Sequence, residues 1–289
     1  MIWVFALLGI GLLVFLWAAL IERNLFTVKY DSIAVLPKGA KPIRVLHISD
    51  IHMAPWQKRK QRWIAKLAEL KVDLVVNTGD NLGHLDAVKP TVRALAPLIA
   101  TPGVFVNGSN DYYAPGLRNP FNYLMKPSTP MPGKPLDTAT LMREFEKGWL
   151  NLNNKSGTLN VKGTTIGFVG LDDPHDQLAN YDGISLPTGA DVLFGVAHAP
   201  YLRVIEELGD CELVFAGHTH GGQVCLPGGR AIVTNCDLPP KNARGLSGWQ
   251  TDKGFTFLNV CAGLGTSIFA PVRLFCRAEV RLLTLLPKS

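Results

Sequence analysis

The chain has 289 residues, of which 47% are hydrophobic and 18% are charged, and its formal net charge is +6. This length exceeds that of a minimal domain and suits one large α/β domain with an appendage. Basic charge without a nucleic-acid-binding motif argues against a nucleic acid partner. The cysteines are odd in number, five, and lie mostly in apolar sequence, which is typical of buried free thiols rather than a disulfide framework.

The N-terminal segment is a long apolar run. No charged residue occurs from Ile2 to Ile21, and Glu22 and Arg23 end the run. A helix of ~20 apolar residues spans ~30 Å, about the hydrocarbon thickness of a bilayer. A cleaved signal peptide is the alternative, but it would have a positive n-region and a shorter apolar stretch. We therefore predict an uncleaved transmembrane anchor over residues 1–22.

The charges next to the anchor predict its orientation. Arg23 and Lys29 follow the apolar run, and no Lys or Arg precedes it. Because positive charge prefers the cytoplasmic side of a membrane, we expect the rest of the chain to face the cytoplasm. The prediction is a single-pass protein of the cell membrane.

Residues 23–41 are predicted to form a connector with an early strand, and residues 42–289 to form the main domain. The domain begins with strands at 43–48, 72–76 and 104–106, which alternate with helical patterns near 63–70 and 88–98. This alternation indicates a parallel sheet, in which ligands gather at the carboxyl ends of the strands.

The segment 112–135 breaks the alternation. It contains six prolines interspersed with aromatic residues, and so long a loop in a compact domain is usually functional or disordered. We predict a lid-like insertion over a binding site, and a purely structural excursion is the alternative.

The second half of the domain contains a helix near 138–147 and further strands. Strands are predicted at 165–170, 192–196 and 213–216, and short β segments continue to the end of the chain. Each of these three strands ends next to polar side chains, namely Asp172 and Asp173, His198, and His218.

Four short motifs supply groups that bind divalent cations. The side chains concerned follow predicted strands: Asp50 and His52, then Asp80 in Gly-Asp-Asn, then His198, then His218 and His220 in Gly-His-Thr-His-Gly-Gly. A spacing of two places both side chains on one side of a strand end, so that both reach one ion. A single carboxylate from the neighbouring strand can bridge two ions. Imidazole and carboxylate ligands together suit Mn, Fe or Zn.

In order and type, these motifs resemble those of the calcineurin-like metallophosphoesterase superfamily, and the anchored N-terminus resembles its bacterial branch of YkuE- and YaeI-like phosphodiesterases. The resemblance covers about residues 43–260. It implies an α/β fold that is a four-layer αββα sandwich. It also implies two divalent metal ions, the first held by Asp50, His52, Asp80 and His220 and the second by Asp80, His198 and His218.

One motif departs from the family pattern. The family carries Gly-Asn-His followed by an acidic residue, whereas this chain has Gly108, Ser109, Asn110 and Asp111. An amide oxygen is a better ligand for such cations than a neutral hydroxyl, so we hypothesise that Asn110 reaches the second metal. The family's histidine acid is missing, and His175 and Asp173, which follow a predicted strand, are the candidates to protonate the leaving group in its place. The alternatives are a metal-bound water as the donor and a group that leaves unaided. An exposed loop histidine is the alternative for His175.

The predicted activity is hydrolysis of a phosphoester by in-line attack of a metal-bound hydroxide. The anchor favours a lipid-linked phosphoester as the substrate. One alternative is a soluble nucleotide-type phosphodiester, with the anchor serving only localisation. The other is a catalytically silent metal-binding scaffold that recruits a protein partner.

Overall fold

In a computed structural model of the protein, residues 1–116, 133–266 and 270–289 are described. The N-terminal helix α1 spans Ile2–Leu16 and continues as a π-helical turn over Trp17–Ile21 and a 3-10 turn over Glu22–Asn24. The continuous segment Ile2–Asn24 is 23 residues long and is apolar enough to cross a membrane. No side chain of α1 is buried against the domain, as expected of a helix whose surface meets lipid. The candidate membrane helix predicted from the sequence is therefore present.

Two six-stranded mixed sheets form the domain. The strands of the first sheet are, in spatial order, Thr27–Leu36 (β1), Glu279–Pro287 (β14), Ile43–Ile48 (β2), Leu74–Asn77 (β3), Gly103–Phe105 (β4) and Trp149–Asn151 (β5). All neighbours in this sheet are parallel except β14 and β2. The carboxyl ends of β2, β3 and β4 therefore lie along one edge.

The strands of the second sheet are, in spatial order, Gly245–Thr251 (β12), Gly254–Val260 (β13), Leu213–Ala216 (β9), Val192–Val196 (β8), Thr164–Gly170 (β7) and Lys155–Val161 (β6). Its four central strands are parallel, and both outer strands pair antiparallel. A short hairpin, Cys225–Leu226 (β10) and Arg230–Ala231 (β11), lies outside both sheets.

The two sheets face each other across the main core, and helices cover their outer faces. Along β2, Val45 contacts the core between the sheets, whereas Leu46 contacts the outer core, as the two-residue period of a strand requires. Three helices contribute residues to the outer core of the first sheet: Lys58–Lys66 (α2), Val88–Ile99 (α3) and Thr138–Phe145 (α5). The one-turn helix Ser109–Tyr112 (α4) follows β4. Leu202–Glu207 (α6) packs on the second sheet. This is the expected αββα arrangement.

Strand β1 lies within the segment that the sequence assigned to a connector. It pairs in parallel with β14, so that Lys29 lies opposite Arg281. The last strand of the chain therefore lies between β1 and β2. This pairing joins the end of the N-terminal helical segment directly to the first sheet.

The ends of the 112–135 insertion are close together. The Ala114 amide donates to the Lys134 carbonyl (2.9 Å), and the Leu136 amide donates to the Tyr112 carbonyl (2.8 Å). The insertion thus leaves and re-enters the domain at one place. Residues 117–132 lie outside the described part of the chain, and the lid-like function stays a prediction.

Candidate metal centre

The loops that carry the predicted ligands have unusual backbone geometry. Five predicted ligands have positive φ, between 41° and 67°: Asp50, His52, Asp80, His218 and His220. Such conformations cost a non-glycine residue of order 1–3 kcal/mol each and persist where the surroundings impose them. Here the Asp50 amide donates to the Gly79 carbonyl (2.9 Å) and the His52 amide donates to the Asp80 carbonyl (3.0 Å). Strain concentrated in this way marks a functional site.

Asp80 lies between two histidines. Its Oδ2 atom is 3.3 Å from His52 Nε2 and 3.5 Å from His198 Nε2. Asn110 adjoins the same carboxylate, since its backbone amide donates to Oδ1 and its side-chain amide donates to Oδ2, both at 2.8 Å. The structure thus brings Asn110 to the carboxylate predicted to bridge the metals.

Asp50 is the second carboxylate of the cluster. It accepts hydrogen bonds from the Ser49 hydroxyl (2.5 Å) and the His218 amide (2.9 Å), and its Oδ1 lies 3.8 Å from His220 Nε2. Two groups of potential ligand atoms result, each within 4.8 Å of one another. They are Asp50, His52 and His220, and Asp50, Asp80 and His198.

The His218 ring lies beside the second group. Its Nδ1 atom is 3.3 Å from His198 Nε2, and its Nε2 atom is 3.3 Å from the Asn235 carbonyl. All six predicted Asp and His ligands are therefore gathered at the ends of β2, β3, β8 and β9.

Several buried nitrogens of the cluster fit the ligands of a cation. Among the described residues, His52 Nδ1, His52 Nε2 and His220 Nδ1 have no hydrogen-bond partner, although His52 Nε2 lies close to Asp80. Buried polar atoms are rarely left without a partner. His198 Nδ1 contacts the Thr78 carbonyl at 2.7 Å, an arrangement that orients the other ring nitrogen of a ligating histidine. The donor set, imidazole nitrogen with carboxylate oxygen, suits a borderline divalent cation.

The electrostatics of the two carboxylates also suit a cation. Burial raises the pKa of Asp50. Burial acts in the same direction on Asp80, but His198 and His52 outweigh it and lower the pKa of this carboxyl well below its usual range. Buried carboxylates without full compensation are stabilised by an ion that supplies positive charge.

Comparison with known proteins agrees with this centre. A family model described as Calcineurin-like phosphoesterase matches residues 43–222. The chain belongs to this family. The match covers both groups of potential ligands, and it confirms the resemblance inferred from the motifs.

The relatives include membrane proteins. The uncharacterized metallophosphoesterase YkuE of Bacillus subtilis (strain 168) is 26% identical over 288 residues, which cover 96% of this chain and 90% of the relative. A "transmembrane protein with metallophosphoesterase domain" of Danio rerio is 25% identical over 206 residues, which cover 65% of this chain and 43% of that protein. Among solved structures, TT1561 of Thermus thermophilus has a TM-score of 0.41 and 10% identity, with 78% of this chain and 91% of that chain covered.

Asp111 supports the loops of the centre through backbone contacts, a role that its place at the end of the 108–111 motif does not reveal. It is fully buried and accepts hydrogen bonds from the backbone amides of Asp80 (2.9 Å), Asn81 (2.8 Å) and Gly108 (3.1 Å). Burial raises the pKa of Asp111 to about 7. A Cβ atom at Gly108 would lie 2.4 Å from Asp80 Oδ1, so glycine is required where this loop approaches the carboxylate.

His175 is not the exposed loop histidine of the alternative interpretation. It is 7% exposed, its ring centroid lies 4.8 Å from that of His218, and its Nδ1 atom is 2.9 Å from the Tyr201 hydroxyl. Asp173 accepts a hydrogen bond from the His175 amide (3.0 Å), and burial raises the pKa of Asp173 to about 7. The strand end that precedes this loop thus places His175 beside the metal centre.

Arg273 belongs to the centre's support and was missed by sequence reasoning. Its guanidinium is fully buried and donates to backbone carbonyls, including those of His220 (3.2 Å), Ala262 (2.7 Å) and Gly265 (2.8 Å). Its own amide donates to the carbonyl of Ala18, near the end of the N-terminal helical segment. No motif surrounds Arg273, and its role follows only from the folded arrangement.

Proposed function

We propose that this protein is a phosphoester hydrolase that uses two divalent cations at the edge of its sheets, next to a membrane. Asp50, His52, Asp80 and His220 would hold one cation. Asp80, His198 and His218, with Asn110, would hold the other. The observation that carries the proposal is the position of Asp80, whose Oδ2 atom lies within 3.5 Å of a histidine from each group.

Paired cations in such a site neutralise phosphate oxygens and lower the pKa of bound water to near 7. The chain's own residues fix where that chemistry occurs. Asp111 holds the amide of Asp80, and the Thr78 carbonyl orients the His198 ring. Since the ligand atoms are held by buried backbone and side-chain contacts, little reorganisation is needed during the reaction.

His175 is the residue that we propose as the proton donor to the leaving group. It adjoins His218 at the rim of the second group, and the Tyr201 hydroxyl contacts its Nδ1 atom and so fixes the ring. Asn110 is proposed to help hold the second cation and not to donate the proton. Its backbone amide and its side-chain amide both donate to Asp80, which brings it to the carboxylate proposed to bridge the cations. A donor on a separate loop would compensate for the histidine that the 108–111 motif lacks.

The proposed substrate is a lipid-linked phosphoester on the cytoplasmic side of the membrane. One support is the apolar helix α1, whose side chains are exposed. The other is the Danio rerio relative, which is named as a transmembrane protein. A soluble nucleotide diester is the second candidate. Hydrolysis of detergent-solubilised phospholipid and of a cyclic nucleotide, measured side by side with added Mn²⁺, distinguishes the two.

The central test combines metal analysis with hydrolysis of bis-p-nitrophenyl phosphate by the full-length protein in detergent. We expect about two metal ions per chain. Asp80→Asn should lose metal and lower kcat/KM by more than about 10³-fold, since a directly ligating group should matter more than the outer partners, whose loss costs 10–100-fold. Asp86→Asn, which changes an exposed acid, is the matched control. Full activity of Asp80→Asn would refute the assignment, and bound metal without turnover on any ester would favour a silent scaffold.

A further inference from the structure

A cavity of about 770 Å³ lies where the membrane helix meets the domain. It is lined by the end of the helix, by β1 and β14, by the turn between β10 and β11, and by residues next to the starts of β12 and β14. Its lining includes Trp17, Glu22, Lys29, Arg244, Arg277 and Arg281. We call this space the junction cavity. Its volume is within the range of small-molecule sites, about 300–1,000 Å³.

The carboxylates of the junction cavity are already engaged. Glu22 accepts hydrogen bonds from the Cys276 amide (2.8 Å) and from the indole of Trp17 (3.0 Å). Glu279 is paired with Arg281 (2.8 Å), which also pairs with Asp31. The donors to Glu22 are neutral and leave its charge in place, but the lining still has four basic residues against two carboxylates.

Three cations remain without a carboxylate partner. Arg244 donates to the Gly229 carbonyl (2.9 Å) and to the Cys276 sulfur (3.3 Å), neither of which is a carboxylate. Within the described ranges, neither Lys29 nor Arg277 forms an ion pair, and both side chains are exposed. Arg281 is 6% exposed, and its buried Nε atom has no hydrogen-bond partner among the described residues. The cavity thus offers guanidinium and ammonium donors to an anion.

The position of the cavity favours a membrane lipid as the source of that anion. Trp17 and Glu22 lie at the domain end of the apolar segment, where a spanning helix would leave the hydrocarbon and enter the headgroup layer. Tryptophan is enriched at this level of a bilayer. Basic groups next to a membrane helix attract anionic lipids, and arginine binds phosphate oxygens in a bidentate manner.

We infer that the junction cavity binds the phosphate of an anionic phospholipid headgroup, with Lys29, Arg244 and Arg277 as its ligands. This inference rests on the proposed placement of α1 in the membrane. It is independent of the proposed hydrolysis, because none of these three residues belongs to the metal centre. A lipid held here would orient the domain relative to the bilayer surface.

The test is native mass spectrometry of the full-length protein in detergent with equal amounts of phosphatidylglycerol and phosphatidylcholine. We expect selective retention of phosphatidylglycerol by the wild type. The double variant Lys29→Gln/Arg277→Gln should weaken its apparent affinity by about tenfold or more, since each basic residue near a lipid surface contributes substantially. The matched control is Lys41→Gln/Lys89→Gln, which removes two exposed positive charges elsewhere on the domain.

Four outcomes would overturn the inference. They are equal retention of both lipids, an equal loss in the control variant, displacement of the lipid by inorganic phosphate at the same concentration, and release of the protein from membranes by alkaline carbonate. Displacement by phosphate would indicate a soluble phosphate ligand. Release by carbonate would remove the membrane placement as well. Hydrolysis of bis-p-nitrophenyl phosphate should be unchanged in the double variant, so failure of the hydrolase proposal would be recognised separately.

Discussion

The metal centre and the junction cavity have opposite charge balances. They nevertheless lie close together, since Arg244 of the cavity adjoins Gly221 in the loop that carries His218 and His220. The metal centre gathers buried carboxylates and imidazoles, and its unsatisfied atoms are ring nitrogens. The junction cavity has more cations than carboxylates, and its unsatisfied atom is a guanidinium nitrogen. Since a buried polar group costs free energy without a partner, the first site is suited to cations and the second to an anion.

The largest effect that would sharpen this comparison is expected at His175. His175→Ala removes the proposed proton donor, so hydrolysis of a diester with an alkyl leaving group should slow by about 10²-fold or more. Bis-p-nitrophenyl phosphate has a good leaving group and should be affected less than about threefold. Parallel kcat measurements on the two esters, with metal content determined for each protein, provide the check.

Tyr201→Phe is the accompanying variant for His175. It removes the hydroxyl at the Nδ1 atom but keeps the ring, and we expect a smaller loss on the alkyl ester only. If His175→Ala slows both esters equally, the residue supports the metal centre and does not donate the proton.

Arg273 links the two regions, and its replacement comes next in expected effect. Arg273→Lys keeps the positive charge but removes most of the hydrogen bonds to the carbonyls of His220, Ala262 and Gly265. Because these loops carry or support the proposed ligands, metal affinity should fall by about 10–100-fold. Titration of the metal-free protein with Mn²⁺, followed by activity and by thermal unfolding, measures the change.

Arg277→Lys is the control for Arg273, since it lies on the same segment with an exposed side chain. Its metal affinity should equal that of the wild type. A folded Arg273→Lys protein with unaltered metal affinity would show that Arg273 stabilises the domain without positioning the ligands.

The two regions also differ in how far the sequence predicts them. The metal ligands follow strand ends in short motifs, and parallel strands bring such ends together, so the sequence alone predicts that Asp50, His52 and Asp80 form one cluster. The alternation of strands and helices predicts a parallel sheet, whereas the four-layer sandwich is implied by the resemblance to the family. Local sequence is informative here because Asp50 and His52, and likewise His218 and His220, are separated by only two positions in the chain.

The junction cavity could not be predicted in this way. Lys29 and Arg281 are neighbours only because β1 pairs with β14, the last strand of the chain. Arg273 and Arg244 likewise reach their partners through long-range packing. Burial of His175 depends on Tyr201 and His218, which are distant in sequence. Long-range pairing of this kind leaves no periodic signal in a single sequence.

Lys60 is a third case, and it gives the smallest expected effect. The run of charges at 57–62 predicts a solvated helix turn, but Lys60 is 5% exposed and its ammonium donates to the Ile51 carbonyl (2.7 Å). The physical reason is that one side of α2 faces the loop after β2. Burial lowers the pKa of Lys60 to about 7, with Arg273 adding repulsion.

This cation has no carboxylate partner among the described residues, and it is buried, whereas Lys29 and Arg277 of the junction cavity are exposed. In the unfolded chain the pKa of Lys60 is near 10.5. Between about pH 7 and pH 10 the unfolded chain therefore binds more protons at Lys60 than the folded protein does. Wild-type stability should therefore rise with pH across this window, and the full cost of the buried charge should be present below it. Lys60→Met should flatten that rise and, even after loss of the hydrogen bond to Ile51, raise the free energy of unfolding at pH 7 by roughly 1–3 kcal/mol.

Thermal unfolding of both proteins in chelator from pH 6 to pH 10, with exposed Lys66→Met as the control, measures the difference. Parallel curves for Lys60→Met and wild type would mean that the buried ammonium is already compensated, and that unpaired cations in this protein do not by themselves indicate a site for an anion.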